Sequence, residues 1–176
     1  MALGIARFIG FIGSAFMLSW LIYPILGGAL AISGLIFVLI AAKKISETMG
    51  KSQIFRDFLI ASIFLFPFLI LSSAFIAVLR ENVELVSQLF SILVHDILAL
   101  WILLILASFF LRKSLKLIAE TTNVPLFKIS ANTYLLSAIL LPTIIGFLIL
   151  FLAIFLQALA FLFLTSPKKT SFSVVK

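Results

Sequence analysis

The sequence has no cysteine and a single histidine, His95. The first absence excludes disulfides, thiolate zinc sites, iron–sulfur clusters and a cysteine nucleophile. The second excludes bis-His haem ligation within one chain. Charge is also scarce: 11% of residues are Asp, Glu, Lys or Arg, and 6 acidic residues stand against 13 basic ones. No metal-ligand cluster, nucleophile–base pair or pair of intramembrane carboxylates can be assembled from them, so neither enzymatic activity nor a cofactor is expected. Apolar sequence fills the chain instead. Hydrophobic residues make up 64% of it and the mean hydropathy is +1.37, against roughly 45–50% apolar residues in a soluble domain. The expected class is an all-α integral membrane protein. Its net charge of +7 then reads as loop charge facing anionic headgroups, with no support for nucleic-acid binding.

From Phe8 to Ala42 the chain is apolar. As one helix this stretch would be about 52 Å long, well beyond the roughly 30 Å hydrocarbon core. Tyr23-Pro24 and Gly27-Gly28 offer the break, Pro24 by its missing amide hydrogen and the glycines by permitting a tight reversal. Spans are expected over 5–22 and 26–42, with Gly10, Gly13 and Ser14 facing Gly27, Ala31 and Gly34 in close helix packing. Arg7 and the Ala29-Leu30-Ala31 stretch resemble signal-peptide features. The apolar run continues past that point without a polar boundary, so the N-terminal segment reads as a membrane anchor.

Later spans are expected over 58–79, 87–111, 129–142 and 145–164, followed by a polar tail at 166–176. Pro67 predicts a kink, with Ser62, Ser72 or Ser73 or a neighbouring helix meeting freed backbone groups. Pro142 and Gly146 interrupt the last apolar run. Asn132, Thr133, Tyr134, Ser137 and Gln157 read as interhelical glue, worth about 0.6–2 kcal/mol per hydrogen bond.

One motif occurs twice between apolar flanks. Lys43, Ile45, Ser46, Glu47, Thr48 and Gly50 precede Ile54-Phe55-Arg56; Lys116, Ile118, Ala119, Glu120, Thr121 and Asn123 precede Leu126-Phe127-Lys128. Gly50 and Asn123 are the two residue types most able to end a helix in the left-handed conformation. The motif therefore reads as a duplicated helix stop and interfacial elbow. Phe55 is expected at the interface, with the chain turning back between Ile54 and Arg56. Leu111, Leu115 and Ile118 give an apolar face that either lies along the membrane surface or extends the fourth helix. Glu47 and Glu120 are expected to balance nearby cations.

Within the fourth span Glu84, Gln88, Ser91 and His95 share one helical face, with Asp96 beside it. His95 and Asp96 are the candidate intramembrane polar site, since ionisable groups in a span often mark an ion or proton path. Against this, they lie two or three turns from the polar connection at Arg80–Glu84. As neighbours on a helix they also project about 100° apart. Structural hydrogen bonding, exposure to interfacial water and a transport role all stay open.

Six alternating spans put Arg7, Lys43, Lys44, Lys51, Arg56, Arg112, Lys113, Lys116, Lys128, Lys168, Lys169 and Lys176 on one side. That leaves only Arg80 opposite. The positive-inside rule makes the crowded side cytoplasmic, with both termini there, in a cell-membrane protein. An even number of spans separates the two motifs, so they form a parallel repeat, unlike the inverted repeats of many transporters. The bilayer and its anionic headgroups are the partners implied; protein partners and self-association as a homo-oligomer are left open. The motif order resembles the archaeal and bacterial multi-pass membrane proteins grouped as domain of unknown function 996. That resemblance implies fold and location and carries no catalytic residue. A non-enzymatic scaffold or accessory protein is the leading expectation, with a small transporter or channel near His95 and Asp96 as the alternative.

Overall fold

A computed structural model describes residues 2–22, 24–81 and 90–164; side-chain surroundings are described for these except at 2, 21–22, 24–26, 74–81, 90–94, 96–97 and 144. Among the described residues there are six helices: α1 (Ala2–Ile22), α2 (Pro24–Met49), α3 (Ser52–Glu81), α4 (Phe90–Thr122), α5 (Pro125–Leu140) and α6 (Ile144–Leu162). Each packs on its chain neighbours, and α6 closes onto α1, forming a ring. Cross-helix contacts show that neighbours are antiparallel. The Ser114 hydroxyl meets the Ile54 carbonyl and Trp101 meets Ala138, while the Ser130 hydroxyl meets the Ala153 carbonyl. The elbows at Gly50 and Asn123 therefore share one end of the bundle, as do the start of α1 and the finish of α6.

Five helices contain stretches long and apolar enough to cross a membrane. The sixth, α5, has 16 residues, about 24 Å at 1.5 Å per residue, which falls short of a roughly 30 Å core. The fifth span, expected over 129–142, was already the shortest of the six, and α5 is the helix that falls in that stretch. Its length is set by Pro125 in its first turn and by the break at Leu141–Thr143 before α6. The outward faces carry apolar stripes at helical spacing, such as Leu59, Ile63, Phe66 and Ile70 on α3 and Leu98, Ile102, Leu106 and Phe109 on α4, all exposed. Apolar area continuous on that scale suits lipid rather than water.

Gly13 on α1 and Gly34 on α2 explain the tightest contact. A Cβ built on Gly13 would come 2.7 Å from the Gly34 carbonyl oxygen, and one on Gly34 would collide with the Gly13 carbonyl. Only hydrogen fits at either position. Gly27 and Gly28 do not form the reversal expected of them. Both lie inside α2, which starts at Pro24, and Gly27 lies against the α1 backbone at Ser19 and Trp20. Proline at the first helical position lacks only an N–H that would be unpaired there anyway, so the helix starts there and the glycines serve packing.

Two further expectations change. Pro67 lies within continuous α3, and the carbonyl it frees is that of Ile63, four residues back. Ser62 instead donates to Phe58, and Ser72 and Ser73 donate to Leu69. At the elbow, α3 has begun by Ser52, so Ile54–Arg56 are helical and the turn is at Gly50–Lys51.

Among the described residues, large side chains pack the interior. Trp20, Phe68, Phe58, Leu104, Phe127 and Phe161 are all buried in one cluster. Phe127 and Phe161 meet edge to face with ring centroids 5.1 Å apart, and Trp20 packs on Phe68 and Phe147. A cavity of about 20 Å³ lies among Met17, Trp20, Phe68, Leu104, Tyr134 and Ile154, enough for about one water.

Candidate functional site

The two elbows are built from local chemistry. Helix α2 ends at Met49, and Gly50 takes φ 65°. The Lys51 amide then donates to the Ser46 carbonyl at 3.1 Å, which is the six-to-one closure of a Schellman turn. Ser46 Oγ donates to the Lys51 carbonyl at 2.9 Å and fastens the turn a second time. Helix α4 ends at Thr122, and Asn123 takes φ 55°. The next helices start with the same bond: Ile54 amide to Lys51 carbonyl at 3.1 Å, and Phe127 amide to Val124 carbonyl at 3.3 Å.

The Ile-Phe-Arg and Leu-Phe-Lys triplets pair Phe55 with Phe127 by sequence. Counted from the starts of α3 and α5, Phe127 stands level with Ile54: both are fully buried, while Phe55 is partly exposed. Ile45 and Ile118 are likewise fully buried. Lys43, Glu47, Arg56, Glu120, Asn123 and Lys128 are exposed, and Lys116 is half-buried. Leu111, Leu115 and Ile118 lie buried on α4, which continues through the motif rather than lying apart from it.

Glu47 pairs with Lys44 at 3.6 Å, both well exposed, a contact of small energetic weight. Glu120 lines a different feature, an open cleft of about 400 Å³ between the start of α3 and the end of α4. Its walls are Gln53, Arg56 and Asp57 from α3, and Lys113, Lys116, Leu117 and Glu120 from α4. Spacings of three and four residues put each set on one helical face. The Ser114 Oγ to Ile54 carbonyl bond, 2.8 Å and buried, fixes those faces opposite one another.

Of the intramembrane polar stripe, Glu84 and Gln88 lie outside the described residues. Ser91 and Asp96 fall in α4, but their side chains are outside what is described, and His95 is exposed. Asn132, read from the sequence as interhelical glue, is exposed and accepts a hydrogen bond from Arg112 Nε at 3.1 Å, joining α5 to α4.

The buried polar groups gather elsewhere. Ser14 Oγ donates to the Gly10 carbonyl at 2.9 Å and accepts from Gln157 Nε2 at 3.1 Å, joining α1 to α6. Gln157 Oε1 and the Tyr134 hydroxyl are buried with no hydrogen-bond partner among the described residues. Gln157 was expected to act as glue, but its partner 143 residues away follows only from closure of the ring. Ser114 was missed altogether: a serine in an amphipathic stretch carries no mark that its hydroxyl will face another helix's first turn.

A sequence model of a family described as protein of unknown function, DUF996, matches residues 30–155. The chain belongs to that family. The matched region of this DUF996 protein runs from within α2 into α6, so it contains both elbows and the cleft but leaves out Ser14 and Gln157. An uncharacterised protein of Methanocaldococcus jannaschii, MJ1644, is 26% identical over 175 residues, covering 94% of each chain. No solved structure matches.

Proposed function

We propose that this DUF996 protein is a non-enzymatic scaffold or accessory protein of the cell membrane, crossing it six times with both termini in the cytoplasm. The supporting observation is the packed ring. Among the described residues, aromatic and aliphatic side chains pack its interior, and buried hydroxyls are spent on neighbouring backbone, as at Ser114 and Ser130. Such an interior suits a fixed structural body better than a path for solutes. The test is cross-linking and co-purification from native membranes. A recurrent protein partner or a defined homo-oligomer supports the reading, and a monomer without partners contradicts it.

The same proposal includes a parallel repeat. Helix ends at 49 and 122 and helix starts at 52 and 125 are displaced by the same 73 residues, and Ile45, Ile54 and Phe58 match the buried Ile118, Phe127 and Ala131 at that displacement. The copies are α2–α3 and α4–α5, two positions apart in a ring of six. A rotation of about one third of a turn about the membrane normal would relate them, and transporters with inverted repeats are built otherwise.

A transporter or channel is the second reading. The unpartnered Tyr134 hydroxyl and Gln157 Oε1 favour it, because buried polar atoms without partners are uncommon and often mark water or function. On this reading the polar path passes Ser14, Tyr134 and Gln157 as well as His95 and Asp96. Proteoliposome flux that Asp96→Asn and Gln157→Leu both abolish supports it; no flux above protein-free vesicles removes it.

A further inference from the structure

We propose that the cleft between the first turns of α3 and the last turns of α4 binds a phosphate group at headgroup depth, with Arg56, Lys113 and Lys116 as its cationic ligands. The inference rests on the reading that α3 and α4 cross the bilayer.

Depth comes first. Phe109 is exposed at the end of the lipid-facing stripe on α4. Lys113, one turn further on, holds its ammonium 4.9 Å from the Phe109 ring centroid and 5.9 Å from that of Phe110. A lysine folded over aromatic rings at the edge of an apolar belt marks the boundary between hydrocarbon and headgroups. Arg56 lies at a similar level. The Ile54 carbonyl meets Ser114, and in antiparallel helices two residues further along α3 correspond to two residues back along α4.

The charge balance decides the sign of the ligand. Three cations face two carboxylates in the cleft. Asp57, mostly buried, is held by Arg56 Nε at 3.6 Å, while the Arg56 side chain stays 66% exposed. Setting that pair aside leaves Lys113 and Lys116 against Glu120 alone, and the outer edge of the guanidinium remains available for a bidentate contact. Glu120 lies four residues beyond Lys116, about 6 Å further from the apolar belt. Neither Lys113 nor Lys116 has an ion-pair partner among the described residues. The inner part of the cleft is therefore cationic, with the Gln53 side chain as a further polar group. Its volume of about 400 Å³ is within the range of about 300–1,000 Å³ common for ligand clefts.

A phosphate could reach this cleft on a lipid or free in solution. The full-length protein is reconstituted in nanodiscs, and binding of a fluorescent phosphatidylglycerol is measured against phosphatidylcholine, with and without inorganic phosphate. Two triple variants are compared: Arg56→Gln/Lys113→Gln/Lys116→Gln in the cleft, and Lys43→Gln/Lys44→Gln/Lys128→Gln outside it. Both lose the same charge. Each cation held against an anionic group is worth about five-fold, so the cleft triple is expected to lose roughly 100-fold and the outer triple, whose cations lie away from the cleft, no more than about five-fold. Loss confined to the cleft triple and unaffected by phosphate supports the site with a lipid as the source. The same loss with competition by millimolar phosphate supports it with a soluble source. Equal losses in the two triples overturn it, because they report a general basic surface. Carbonate extraction of each variant is scored separately: protein released from the membrane contradicts the membrane reading, whatever the lipid result.

Discussion

Gly13 and Gly34 leave room only for hydrogen where α1 meets α2, and the cost of filling that space is large. Gly13→Val should destabilise the bundle by about 1–3 kcal/mol or more, because backbone stands on the other side and cannot swing away. A thermal melt in detergent checks this. Gly50 gives a contrasting case. A Cβ there meets nothing within 4 Å, so Gly50→Ala pays only for its left-handed backbone, roughly 1–2 kcal/mol. Asn123→Gly should be neutral or slightly stabilising at the matching elbow. Ser14 and Gln157 test the interior. Ser14→Ala leaves Gln157 Nε2 unpaired and should cost about 1–3 kcal/mol, whereas Gln157→Leu removes an orphaned carbonyl and should be close to neutral. If Ser14→Ala costs nothing in the Gln157→Leu background, the cost came from that bond.

At the level of helices, the stops were readable because their chemistry is local. A glycine and an asparagine at matched places announce left-handed caps, and helices end one residue before each. What depends on partners was not readable. Gly27 and Gly28 looked like a turn because nothing in the sequence tells a packing glycine from a bending one; the α1 backbone beside Gly27 makes the difference. The serines around Pro67 looked like its compensation, yet their reach is to Phe58 and Leu69. The cleft could not be foreseen either, because Arg56 and Lys113 come together only through the packing of α3 on α4. Ser114 sets that packing. Ser114→Ala should cost about 0.6–1.7 kcal/mol, the range of interhelical bonds in membranes, and should weaken phosphatidylglycerol binding without removing a charge. A melt combined with the nanodisc assay measures both.

For the whole molecule, the ring and the charge pattern point to the same threading. Helix α5 is the weak member, too short on its own for a full crossing, yet it lies antiparallel between α4 and α6 and carries the fully buried Phe127. If α5 crosses, Asn123 and Thr143 at its two ends face opposite sides of the membrane. If it does not, the bundle has five crossings and the cations no longer collect on one side. The absence of native cysteine makes the deciding measurement clean: single-cysteine variants at Lys51, Asn123 and Thr143, labelled in intact cells with a membrane-impermeant maleimide. The six-crossing cytoplasmic-elbow account predicts labelling at 143 and protection at 51 and 123 until the cells are opened. Labelling of 123 and 143 from the same side would contradict it.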